Sequence, residues 1–255
     1  MNRENALLCL VFPMGVEARP FLRRVEVVSR QTCGRAVYRE AFFEGSVFWV
    51  VRCGIGPSRA AAAIRNMDKK PAAIISVGTA GSLVKDLKFG NIVIAKETVS
   101  GDSPDAIEEW SGELAERLAA SCSAEGVCYR VGRLATVRAP VFTGEARARL
   151  HELTGAHAVD METHAMGLEA ARLGVPFGAL RVISDDMDSP PLAGKPNLRN
   201  LWRRGPQISG TLIALCRWQK FVRKFLKSVE LLHPILVRVL RDARRGDRWI
   251  GGPGR

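Results

Sequence analysis

The 255-residue chain has no run of about 18 uncharged apolar residues, the least that a membrane-crossing helix needs. Its six cysteines (Cys9, Cys33, Cys53, Cys122, Cys128, Cys216) form no CxxC pair, so neither a zinc ribbon nor a thiol-redox motif is present. Reduced, mostly buried thiols in a cytoplasmic protein are the plain reading. The four histidines have no ligand spacing, so neither a metal nor any other cofactor is expected. The glycine turns fit neither GxGxxG nor GxxxxGK[ST], which removes the dinucleotide fingerprint and the phosphate loop. There is no internal repeat and no low-complexity tract. The N-terminal stretch has a short apolar segment but no small-residue cleavage site, and it reads as a first buried strand.

The composition is that of a folded α/β body with an added tail. Hydrophobic residues make up 47% and charged residues 25%, so disorder is not the default. The net charge of +12 is uneven: from residue 201 onward 13 Lys/Arg face 3 Asp/Glu, against 25 and 23 before it. We therefore divide the chain into a body, residues 1–206, and a basic helical extension, residues 207–255. Val/Ile/Leu-rich runs predict strands at 6–12, 46–53, 73–77, 91–95, 127–136 and 177–183, covered on both faces. Helical spacing predicts helices at 16–24, 58–66, 113–120, 145–153 and 163–173. Gly174 and Pro176 close the last of these. Residues 185–207 read as a long loop of the kind that often forms a lid. A helix over 208–240 is expected to be interrupted near Pro234.

Two glycine turns follow strands, Gly54-Ile55-Gly56 and Gly78-Thr79-Ala80-Gly81. Such turns let a ligand approach the backbone, although each is also consistent with a tight turn that binds nothing. More specific is Asp160-Met161-Glu162-Thr163-His164, between a short strand and a helix, followed by Arg181-Val182-Ile183-Ser184-Asp185. Carboxylates then emerge at the same end of adjacent elements, where open α/β sheets place ligands. Asp160 fits a helix-capping role; Glu162 and Asp185 have no such ready explanation.

In this order, with Met14-Gly15-Val16-Glu17 and Gly90-Asn91-Ile92-Val93, these segments resemble the nucleoside phosphorylase and nucleosidase superfamily over roughly residues 6 to 190. The resemblance implies a three-layer α/β/α fold with a central mixed sheet and an enzyme that cleaves the N-glycosidic bond of a purine nucleoside. Carried over by position, it makes Asp185 the group that gives a proton to the departing base, an acid whose work near neutral pH calls for a raised pKa. Glu162 holds the ribose hydroxyls and steadies an oxocarbenium-like sugar. Glu17 orients or deprotonates the attacking water. Met161 packs on the sugar, the backbone of Val141 meets the base edge, and Met14, Ile55, Gly78, Thr79 and Ser184 line the site. His164 either orients a substrate hydroxyl or structures the helix start.

Phosphorylases of this superfamily carry an arginine three residues before the Ser/Thr of the Gly-Thr/Ser turn; here that residue is Ser76. With Glu17 supplying a carboxylate in the first loop, water is favoured over phosphate. The Asp160–His164 segment and the acidic, proline-rich stretch from Asp185 to Leu192 are similar to the hopanoid-associated phosphorylases, which implies adenosylhopane as substrate. Methylthioadenosine/S-adenosylhomocysteine nucleosidase is the alternative, and purine nucleoside phosphorylase the next. The superfamily also implies a homo-oligomer. In the extension, Ile208, Leu212, Leu215, Trp218, Val222, Phe225 and Val229 form one apolar stripe among basic residues. It reads either as a core-packing helix or as a helix resting on anionic lipid, peripheral at the inner face of the membrane and suited to a lipid-linked nucleoside. No nucleic-acid recognition motif accompanies the charge.

Overall fold

The unbroken apolar runs form the middle of one mixed sheet, because a strand covered by helices on both faces has no solvent side to make polar. In the computed structural model, residues 8–188 and 208–244 are described, and they form ten strands and six helices. Their order is β1 (Leu8–Phe12), α1 (Gly15–Leu22), β2 (Glu26–Cys33), β3 (Ala36–Phe43), β4 (Ser46–Arg52), α2 (Pro57–Arg65), β5 (Ala73–Ser82), β6 (Ile92–Ser100), β7 (Ser103–Glu109), α3 (Gly112–Ala124), β8 (Tyr129–Thr136), α4 (Gly144–Thr154), β9 (Ala158–Asp160), α5 (Thr163–Arg172), β10 (Phe177–Asp185) and α6 (Ile208–Arg244).

β1 lies between β4 and β5, parallel to both, and β10 runs parallel to β5. β10 also pairs antiparallel with β6, which leads through β8 and β9 back to β5, so this part of the sheet closes on itself. β3 and β2 extend the other end antiparallel, and β7 pairs with β6. Helices α1, α3 and α6 cover one face, with Phe21, Leu118 and Ile235 in a core shared with Leu10 and Ile75. α2 and α5 cover the other, where Ile64 and Met166 meet Ile74 and Ile183. This is the three-layer α/β/α architecture.

Three elements depart from the sequence reading. The β2–β3 hairpin turns at Gly34, whose φ of 57° suits glycine. It escaped detection because β2 is exposed along its whole length and its only apolar run is Val27-Val28 among polar residues. β7, with the sequence SPDAIEE, is equally polar and mostly exposed. The expected break at Pro234 is absent: α6 continues through it to Arg244. Pro234 removes one backbone donor, but the flanking Leu232, Ile235, Leu236, Val239 and Leu240 are buried in the core and hold the helix to its path. The core-packing role thus applies to this part of α6. The side chains at 208–218, and the residues 189–207 that include Pro190, Pro191 and Leu192, lie outside the described residues. No helix among the described residues is long and apolar enough to cross a membrane.

Candidate active site

The carboxyl ends of β1, β4, β5, β9 and β10 lie side by side and bring together the residues singled out above. Glu17 enters from the first turn of α1, where its Oε2 accepts from the Met14 N–H at 2.9 Å in a capping-box arrangement. Its Oε1 crosses to β5 and accepts from both N–H and Oγ1 of Thr79, each at 2.9 Å. Gly78 is needed for this approach, since a Cβ there would stand 3.0 Å from Glu17 Oε1. Burial pushes the Glu17 carboxyl above its ordinary range, opposed by Arg181 and by the Thr79 and Met14 donors.

Glu162 begins α5, and its Oε1 accepts from the Gly56 N–H at 2.7 Å. Gly56 has a φ of 101°, so the turn that presents this N–H requires glycine. Desolvation, reinforced by the neighbouring Asp160 charge, pushes the Glu162 carboxyl up to about 8 against the pull of Gly56 and Arg181. Met161 beside it is half-buried and Ile55 is 46% exposed, leaving apolar surface at the rim.

Asp185 ends β10 at a bulge, where the register to β5 shifts between Ile183 and Asp185. Bulges near sites re-aim side chains. Here Ser184 Oγ donates to Asp185 Oδ1 at 2.7 Å, and the other oxygen, Oδ2, is ion-paired with the Arg147 guanidinium. The acid expected from the sequence is therefore, in the fold, one half of a buried ion pair. Arg147 also donates through Nε to the Val141 carbonyl at 3.1 Å, so the backbone expected to meet the base is tied to Asp185.

Asp160 is structural. Its carboxylate accepts from Thr136 Oγ1, from the N–H groups of Glu162 and Thr163 at the start of α5, and from Thr163 Oγ1. Its charge is met by Arg181, which is fully buried and also donates to Ser76 Oγ at 2.7 Å. His164 Nδ1 is hydrogen-bonded to Thr98 Oγ1 at 2.9 Å, while Trp110 Nε1 donates to the same oxygen. His164 also lines a groove of about 500 Å³ with Pro57, Ser58, Thr136, Arg138 and Leu168. Its burial lowers its pKa, so the neutral ring is favoured.

Sequence reasoning passed over both arginines, although each left a signal. Arg181 interrupts an otherwise apolar strand, and a guanidinium there must find a counter-charge. Arg147 shares a helical face with Leu150 and Thr154, the stripe of α4 turned inward.

The phosphorylase superfamily model matches residues 8–201, and the chain belongs to that superfamily. Among curated relatives, a 5′-methylthioadenosine/S-adenosylhomocysteine nucleosidase from Actinobacillus succinogenes is 30% identical over 175 residues, covering 61% of this chain and 75% of its own. One of the same name from Bacillus licheniformis is 23% identical, covering 70% of this chain and 85% of its own. The solved futalosine hydrolase of Helicobacter pylori superposes with a TM-score of 0.76 at 19% identity, over 94% of this chain and all of that one.

Proposed function

We propose that this protein is a nucleosidase that hydrolyses the N-glycosidic bond of a 5′-substituted adenosine, with adenosylhopane its substrate. Water adds to C1′ as its proton passes to Glu17, the C1′–N9 bond breaks, and adenine leaves with a proton from Asp185 on N7. Glu162 holds the ribose hydroxyls and steadies the oxocarbenium-like sugar. Met161 packs against the ribose, Met14, Ile55, Gly78, Thr79 and Ser184 line the site, and His164 orients a substrate hydroxyl.

The observation that carries hydrolysis is the occupancy of the Gly78-Thr79 turn. Both donors of Thr79 are taken by the Glu17 carboxylate, and a fixed anion there repels phosphate while it suits a water. The nearby cation, Arg181, is already balanced by Asp160. Adenine should therefore be released at an undiminished rate in phosphate-free buffer, with the free 5-substituted ribose as the sugar product; strict phosphate dependence and a 5-substituted ribose 1-phosphate would refute the reading.

The second reading is methylthioadenosine/S-adenosylhomocysteine nucleosidase, favoured by the names of the curated relatives. Adenosylhopane rests on the Asp160–His164 segment and the acidic stretch after Asp185; comparing adenine release from the three nucleosides decides between the two. Assembly as a homo-oligomer, and peripheral membrane attachment through the basic extension of a cytoplasmic enzyme, belong to the same proposal.

A further inference from the structure

Arg147 is among the largest fully buried side chains of the protein, at 1% exposure. Four hydrogen bonds leave its planar head: Nε to the Val141 carbonyl, Nη1 to the carbonyls of Ser82 and Asp185 at 3.2 and 3.4 Å, and Nη2 to Asp185 Oδ2. Asp185 is its only salt-bridge partner among the described residues. Room for the pair comes from Gly81, where a Cβ would lie 2.8 Å from Asp185 Oδ2 and 3.2 Å from Arg147 Nη2.

Local forces do not favour this placement. Thr143 caps α4, its hydroxyl accepting from the Ala146 N–H, so Arg147 falls in the opening turn. A cation there opposes the helix dipole, and burying an ion pair costs desolvation that a well-packed apolar pair avoids. What the arginine provides in return is geometry. One rigid fork binds the backbone at Val141, the β5 carbonyl of Ser82 and the carboxylate of β10.

We propose that Arg147 is the positioning residue for base departure. It fixes the orientation of Asp185 relative to the segment that meets the base edge and occupies Oδ2, which leaves Oδ1, beside Ser184, as the oxygen that serves the leaving group. This rests on Asp185 as the proton donor.

The test compares two substrates. Adenine needs a proton to leave; the nitrophenolate of a 4-nitrophenyl riboside does not. Arg147→Lys keeps the charge but loses the fork, and should lower kcat for adenine release by on the order of 10²-fold, the usual effect of a small misplacement. Its release of nitrophenolate should change far less, and Asp185→Asn should show the same selectivity. Combining Arg147→Lys with Asp185→Asn should add little to the loss caused by Asp185→Asn alone. Equal loss on both substrates in Arg147→Lys, or loss of its native circular dichroism, would make Arg147 merely structural and overturn the proposal. If Asp185→Asn keeps its adenine release, it is the reading of Asp185 as donor that fails.

Discussion

Four of the buried carboxylates, Glu17, Asp160, Glu162 and Asp185, meet at the candidate site, and they fall into two kinds. Asp160 and Asp185 each face a buried arginine from another element, Arg181 and Arg147. Glu17 and Glu162 are held only by neutral donors, the Thr79 and Met14 groups and the Gly56 N–H. The two glutamates lack a cation in direct contact, and burial pushes both upward. The aspartates are built into the fold as members of ion pairs. The glutamates keep a proton affinity that chemistry on a water and a sugar can use, while Asp185 keeps Oδ1, held by the Ser184 hydroxyl, for the departing base.

The most severe test of this division is Asp160→Ala. It leaves Arg181 fully buried without its counter-charge, and removing one partner of a buried pair typically costs about 3–5 kcal/mol. Equilibrium denaturation should show a loss of that order; a loss below about 1 kcal/mol would mean that Asp160 is not what neutralises Arg181. The sharpest contrast is Glu162→Gln, which removes a carboxyl that has no such partner and should leave the protein folded.

The pH dependence follows from the same difference. In the unfolded chain Glu162 ionises in the ordinary glutamate range, whereas in the fold it stays protonated up to about 8. Between those values the unfolded state binds fewer protons than the folded one, so this group's contribution to stability is lost as pH rises. Each unit of displacement corresponds to about 1.4 kcal/mol. Glu162→Gln should therefore gain on the parent by about 3–4 kcal/mol between pH 5 and pH 8, read as a widening Tm gap. A constant or narrowing gap would contradict the raised carboxyl.

The same division explains how far the sequence could be read. Runs such as those of β1, β5 and β10 announced themselves because their composition reflects burial on both faces. Glu17, Glu162 and Asp185 were legible because motif order placed them at strand ends, and short-range geometry did the rest, as in the contact of Glu17 with the Met14 N–H three residues away. The arginine partners were not legible. Arg147 is 38 residues from Asp185 and Arg181 is 21 from Asp160, and which cation meets which carboxylate is decided by the packing of α4 and β10. Pro234 failed as a stop signal for a related reason: local propensity marks it as a breaker, and core contacts on both sides override it.

The weakest expected effect belongs to a third kind of charge, exposed and paired. Arg241 of α6 donates to both carboxylate oxygens of Glu44 in the turn after β3, at 2.7–3.1 Å, yet about half of its side chain is open to water. Solvent screening and the entropy of holding two long side chains limit such pairs to about 0–1 kcal/mol. Arg241→Ala should therefore shift the denaturation midpoint only slightly, and less still in high salt. α6 is held instead by Leu232, Ile235, Leu236, Val239 and Leu240, and truncating a buried leucine or isoleucine to alanine costs about 2–5 kcal/mol. If Arg241→Ala matched Leu236→Ala in cost, the attachment of the basic helix would be electrostatic, and distance to a counter-ion would count for more than burial.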